Sequence, residues 1–80
     1  MTTQIKFLKQ DEFYFRIILL KDSEYYGLDG VLDLVDKLPN NIIPESIKIG
    51  KPACKIYCLT TSHSDYIGLE SRLKIRTELI

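Results

Sequence analysis

From Phe13 to Leu20 the chain reads Phe-Tyr-Phe-Arg-Ile-Ile-Leu-Leu, and only Arg16 interrupts its apolar character. Aromatic and β-branched residues dominate the run, which predicts a strand. Alternate positions divide it into two faces. Phe13, Phe15, Ile17 and Leu19 lie on one, and Tyr14, Arg16, Ile18 and Leu20 on the other. Apolar groups on both faces predict a strand that is central or covered on both sides. Upstream, Gln4 to Lys9 alternates more briefly, with Ile5 and Phe7 opposite Lys6, and Gln10-Asp11-Glu12 is a polar break. These two runs predict a hairpin.

The period then changes. Leu28, Val31, Leu32, Val35 and Leu38 follow the i, i+3, i+4, i+7 template of an apolar helical stripe. Asp22 and Ser23 are the expected caps, Gly30 is a mild penalty inside the helix, and Pro39 ends it. Ile42-Ile43-Pro44 is expected to pack as an apolar lid. Ser46 to Ile49 and Ala53 to Leu59 predict two strands around a Gly50-Lys51-Pro52 turn. Thr60 to Asp65 is a polar loop whose hydroxyls suit a helix cap.

The tail reads both ways. Leu69 to Leu79 has good helix propensity and a favourable Glu70 to Lys74 spacing, with the cap-like Ser64-Asp65 before it. Leu73, Ile75, Thr77 and Leu79 nevertheless alternate with Lys74, Arg76 and Glu78, which is a strand pattern. The expected fold is a single α+β domain over 1–80 with a mainly antiparallel sheet, in the order ββαββα, or ββαβββ if the tail is a strand.

Size and composition narrow the class. Eighty residues, 45% of them hydrophobic, suit one small globular domain and not a disordered chain. Such a domain buries only about 60% of the surface of its unfolded chain, which leaves little for a deep pocket. That favours a binding or inhibitory module, a small subunit or an oligomer over an enzyme. No run reaches the roughly 18 apolar residues of a membrane span, and the first residues lack the pattern of a signal peptide. Cys54 and Cys58 would lie on one face of a strand about 13 Å apart, beyond the reach of a disulfide. Free buried thiols suit a reducing compartment, so the expected location is cytoplasmic.

The search for chemistry is mostly negative. Cys54, Cys58 and His63 have zinc-like proximity in sequence, but two sulfurs so far apart on a strand cannot share one ion. Thr60-Thr61-Ser62-His63-Ser64-Asp65 contains the letters of a catalytic triad. Triads are set by geometry rather than adjacency, however, and this stretch reads as a turn and cap. Phosphate-loop, dinucleotide, zinc-protease and calcium-loop motifs do not occur. No metal, cofactor or catalytic activity is expected.

Charge changes the picture more. Eleven basic and eleven acidic side chains sum to zero, which argues against a nucleic-acid binder held by bulk positive charge. The zero is unevenly built: residues 1–21 carry +2, residues 22–37 carry −4 and residues 38–80 carry +2. Asp29, Asp33 and Asp36 fall on one stripe of the expected helix, with Tyr25 and Tyr26 before them. Tyrosine is enriched at interfaces and charge complementarity speeds association, so this face is a candidate dock for a basic protein. The segment from Glu24 to Asp36, with its Tyr25-Tyr26-Gly27 lead into an aspartate-bearing helix, resembles the docking helix of the barstar family of ribonuclease inhibitors. The likeness covers only that segment, and the aspartates are spaced differently. It implies that a tyrosine-flanked acidic helix of this kind covers a basic nuclease site.

Three functions are therefore expected in turn. The first is an inhibitor or immunity-type protein that docks a basic partner, such as a nuclease, through Tyr25, Tyr26, Asp29, Asp33 and Asp36. The second is a nucleic-acid-binding module that uses Lys48, Lys51, Lys55, Arg72, Lys74 and Arg76, with Tyr57 for stacking; Glu45, Glu70 and Glu78 dilute that patch. The third is a self-assembling subunit, with acidic helix and basic sheet paired head to tail. None involves a membrane.

Overall fold

The computed structural model describes residues 12–80. The expected strand over Gln4 to Lys9, and with it the first hairpin, lies outside these residues. The described chain runs β1 (Phe13–Leu20), α1 (Leu28–Lys37), β2 (Ile42–Lys48), β3 (Ala53–Thr60), α2 (His63–Leu73) and β4 (Arg76–Leu79). The four strands form one antiparallel sheet in the order β2-β3-β1-β4. A βαββαβ chain with this strand order has the split βαβ, ferredoxin-like arrangement. The expected α+β class with an antiparallel sheet is observed.

Both helices cover the same side of the sheet. Phe15, Ile17 and Leu19 of β1 and Cys54, Ile56 and Cys58 of β3 are buried with Val31 and Leu34 of α1 and Leu69 of α2 in one core. The central place expected for the Phe13–Leu20 strand is found: β1 lies between β3 and β4. Among the described residues, no helix covers its even-numbered face.

Several local expectations change. In α1 the buried residues are Val31, Leu34 and, just past its end, Leu38, whereas Leu28 is 57% and Leu32 51% exposed. The apolar stripe is therefore centred about 60°, a sixth of a turn, from the expected one. The cause lies in the β1–α1 loop, which turns Tyr25 into the core at 5% exposure. A Cβ on Gly30 would sit 2.5 Å from the Tyr25 carbonyl carbon, so glycine is required for this close approach. The helix is led not by Asp22 or Ser23 but by Gly27, at φ 95°, with no side-chain cap. Ser23 Oγ instead accepts from the Tyr25 backbone N–H at 3.1 Å and shapes the loop. Pro39 does end the helix, as the extended Leu38 before it requires.

Ile42-Ile43-Pro44 is the start of β2 rather than a lid. Pro44 is tolerated because β2 is an edge strand, and the register shifts by a bulge between Pro44 and Ser46. The tail divides: α2 ends at Leu73, Lys74 turns the chain in left-handed conformation at φ 56°, and β4 follows. Both expected patterns are thus realised in succession. The α2 cap is Ser62, whose hydroxyl accepts from the Asp65 N–H at 3.3 Å, two residues before the expected Ser64-Asp65.

Candidate functional site

The face of the sheet that neither described helix covers, the open face, gathers residues that are far apart in sequence. Because partners in an antiparallel ladder share a face, the registers define rows across the strands. Ile43, Leu59 and Tyr14 form an apolar row. Ser46, Tyr57, Arg16 and Glu78 form the next, and Lys48, Lys55, Ile18 and Arg76 the third. Tyr14 and Tyr57 are diagonal neighbours on the two central strands, a spacing of about 7–8 Å that is within reach of aromatic side chains. Tyr14 is 52% exposed and Tyr57 half-buried.

The electrostatics of the face are uneven. Arg16 is satisfied: its Nε donates to Glu78 Oε1 at 3.0 Å and its Nη2 lies 2.9 Å from the same oxygen. That bond, and then the Tyr57 hydroxyl, push the guanidinium pKa further up. Arg76 reaches Glu78 only at 3.8 Å. Lys48 and Lys55 are directly opposed across β2 and β3, and neither has a carboxylate partner among the described residues. Lys48 Nζ lies 5.9 Å from the centroid of the Tyr57 ring, a cation–π contact. Like charges opposed in this way destabilise a sheet. A bound anion removes that penalty.

The expected basic patch is thus partly assembled. Lys48, Lys55, Tyr57 and Arg76 share the open face. Lys51 sits in the β2–β3 turn, Arg72 is on α2 and Lys74 is at its C-terminal turn. Of the diluting acids, Glu70 faces the helix side, where its carboxylate accepts from the Thr77 N–H at 2.7 Å and from Thr77 Oγ1 at 3.1 Å. Only Glu78 stands within the rows. Tyr14 and Arg16 also belong to the site, beyond the expected basic patch. Their alternation already set them on one face, but which strand lies beside β1 is a non-local fact.

The acidic helix has a different character. Asp29, Asp33 and Asp36 are exposed, away from the core. Asp33 forms an i,i+4 pair with Lys37 at 3.7 Å. Tyr25 does not share that surface: its ring is buried, its hydroxyl accepts from Lys37 Nζ at 3.2 Å, and Lys37 also lies 5.1 Å over the ring. The bond to Tyr25 raises the Lys37 pKa, with smaller contributions from Asp33 and Glu24. Tyr26 is half-buried and donates to the Gly50 carbonyl at 3.1 Å, tying the β1–α1 loop to the β2–β3 turn. What joins the aspartates on the outside is Leu28 and Leu32, which the stripe template had assigned to the core.

The remaining reactive groups have structural partners. Cys54 and Cys58 are free thiols on the buried face of β3, and burial pushes Cys58 up to about 12. The His63 ring packs edge-on against Phe13 at 5.5 Å, beside Tyr66. Thr60 Oγ1 donates to the Asn41 carbonyl at 2.7 Å and accepts from the Ser62 N–H at 3.0 Å. Asp65 accepts from Asn41 Nδ2 at 3.1 Å. Among the described residues no group of three potential ligands is placed to hold a metal ion, and no helix is long and apolar enough to cross a membrane. The chain matches no protein-family model, no curated protein and no solved structure.

Proposed function

We propose that this protein is a binding module that takes a single-stranded nucleic acid across its open sheet face. The carrying observation is the row of Lys48, Lys55 and Arg76 beside the diagonal pair Tyr14 and Tyr57. Aromatic rings on a sheet stack bases without sequence preference, and flanking cations hold the phosphates. Zero net charge accords with this reading, because the positive charge is local and stacking supplies much of the affinity. Three phosphate contacts give a shallow salt dependence, with a log–log slope of about −2. The two free buried thiols suit a reducing compartment, and we place the module in the cytoplasm.

Fluorescence anisotropy with a labelled oligouridylate octamer tests the proposal. Binding at low salt with a dissociation constant in the roughly 1–100 µM range, weakened about five- to hundredfold in Tyr57→Ala, is expected. Absence of binding at low salt would sink it. So would a concentration-dependent dimer in sedimentation that Tyr57→Arg dissociates, which assigns the face to a second copy.

A second reading rests on α1. Exposed Leu28 and Leu32 beside Asp29, Asp33 and Asp36 give an apolar and acidic surface suited to a basic protein, as an inhibitor or immunity-type protein requires. Replacing the three aspartates by lysine is expected to leave folding intact and abolish capture of such a partner from host extract. Capture that survives the reversal removes this reading.

A further inference from the structure

At one end of the open face, where β1 runs out and β4 begins, lies a cleft of about 300 Å³. Its lining includes Ile18, Leu20, Asp22, Ser23, Lys74 and Arg76. Ile18 and Leu20 are outer-face residues of β1, and Arg76 belongs to the basic row, so the cleft continues the surface described above. Resting on that reading, we infer that the cleft holds one ribonucleotide of the bound strand and gives the module a preference for RNA over DNA.

The chemistry of the lining carries the inference. Lys74 and Arg76 supply two cations to a phosphate. Ile18 and Leu20, the latter 43% exposed, form an apolar floor for a sugar or base. Asp22 stands in the same cleft, yet the ion pairs of the described residues join it to neither cation; Arg76 meets only Glu78, loosely at 3.8 Å. Opposite charges that line one gap without closing on each other leave room for a group that satisfies both. A ribonucleotide does so, with its phosphate toward Lys74 and Arg76 and its 2′-hydroxyl donating to the Asp22 carboxylate. The 2′-hydroxyl is the group by which proteins tell RNA from DNA. Ser23 Oγ already accepts from the Tyr25 N–H, so its own proton remains for a ligand oxygen. Lys74 occupies the left-handed position at the end of α2, where glycine is the favoured residue.

The test compares labelled octamers of uridylate and deoxyuridylate on the full chain. The wild type is expected to bind the ribo strand roughly tenfold more tightly, the effect of one hydrogen bond to a charged group. Asp22→Ala should weaken the ribo strand and leave the deoxy strand equal or stronger, so that the preference disappears. If Asp22 only repels phosphate, both strands tighten alike, and the inference fails. Lys74→Gly should keep or raise the melting temperature while it weakens the ribo strand several-fold; undiminished binding in a folded Lys74→Gly protein overturns the assignment. Equal binding of both strands by the wild type, with both weakened in Tyr57→Ala, overturns the cleft but leaves the stacking face standing. Failure of both strands to bind removes the two together.

Discussion

The two faces of the sheet are built from alternate residues of the same strands, yet they carry different properties. Along β3, Cys54, Ile56, Cys58 and Thr60 are buried beneath the helices. Between them Ala53, Lys55, Tyr57 and Leu59 are half-buried on the open side. One face is nearly all apolar and supplies the folding energy. The other interleaves rings, aliphatics and cations, and it holds the unfavourable Lys48–Lys55 opposition. The buried core and the proposed binding face are therefore separated by a single residue step along the chain. Among the described residues no helix covers this second face, which leaves a small domain a broad sheet surface there.

Substitutions at neighbouring positions break or sharpen this contrast. Ile56→Ala should have the largest effect, a loss of about 2–5 kcal/mol in urea unfolding, because the side chain is wholly buried. Near-native stability in that variant, with strand binding lost, would reverse the roles of the faces. Gly30→Ala comes next. The new methyl meets the Tyr25 backbone, which cannot move aside cheaply, and a loss of about 1–3 kcal/mol is expected by the same measurement.

Tyr57→Ala should weaken strand binding by about 1–3 kcal/mol in anisotropy titrations, while the melting temperature changes much less than in Ile56→Ala. For Cys58 the contrast appears in pH. Its folded pKa is raised from 9.0 to about 12, so the neutral thiol stabilises the fold fully below the unfolded pKa, and this contribution is lost as pH rises toward the folded value. The wild type should therefore lose about 1 kcal/mol more than Cys58→Ala on moving from neutral pH to near pH 10. Equal losses in the two proteins would place the thiol in water. Smallest of all is Arg16→Ala: its pair with Glu78 lies at the surface and is screened by solvent, so the melting temperature should barely move, and a drop as large as that of Gly30→Ala would make this row structural.

Much of this architecture is legible in the sequence where one period holds over a whole element. The odd and even faces of Phe13–Leu20 read correctly because alternation alone decides them. In α1 the same kind of template misleads. Leu28, Leu32 and Leu34 are equally apolar, and what selects Leu34 is the packing of Tyr25 against Gly30, a contact no periodicity encodes. The break at Lys74 is illegible for a similar reason, since the left-handed turn there lacks its usual glycine. Half of the open-face site was foreseeable as a set of basic residues and Tyr57. Tyr14 and Arg16 join it only because β1 inserts between β3 and β4.

The bulge at Pro44–Ser46 bears on how the protein behaves in a crowded solution. Strand β2 lies at the sheet edge, with Ile43, Ile47 and nearby Ile49 all substantially exposed. An edge of this kind is a template on which further chains add and grow into fibrils. Pro44 offers no N–H, and the shifted register bends the remaining donors and acceptors out of line. The irregularity interrupts that template midway along β2, which works against growth of a continuous ladder there.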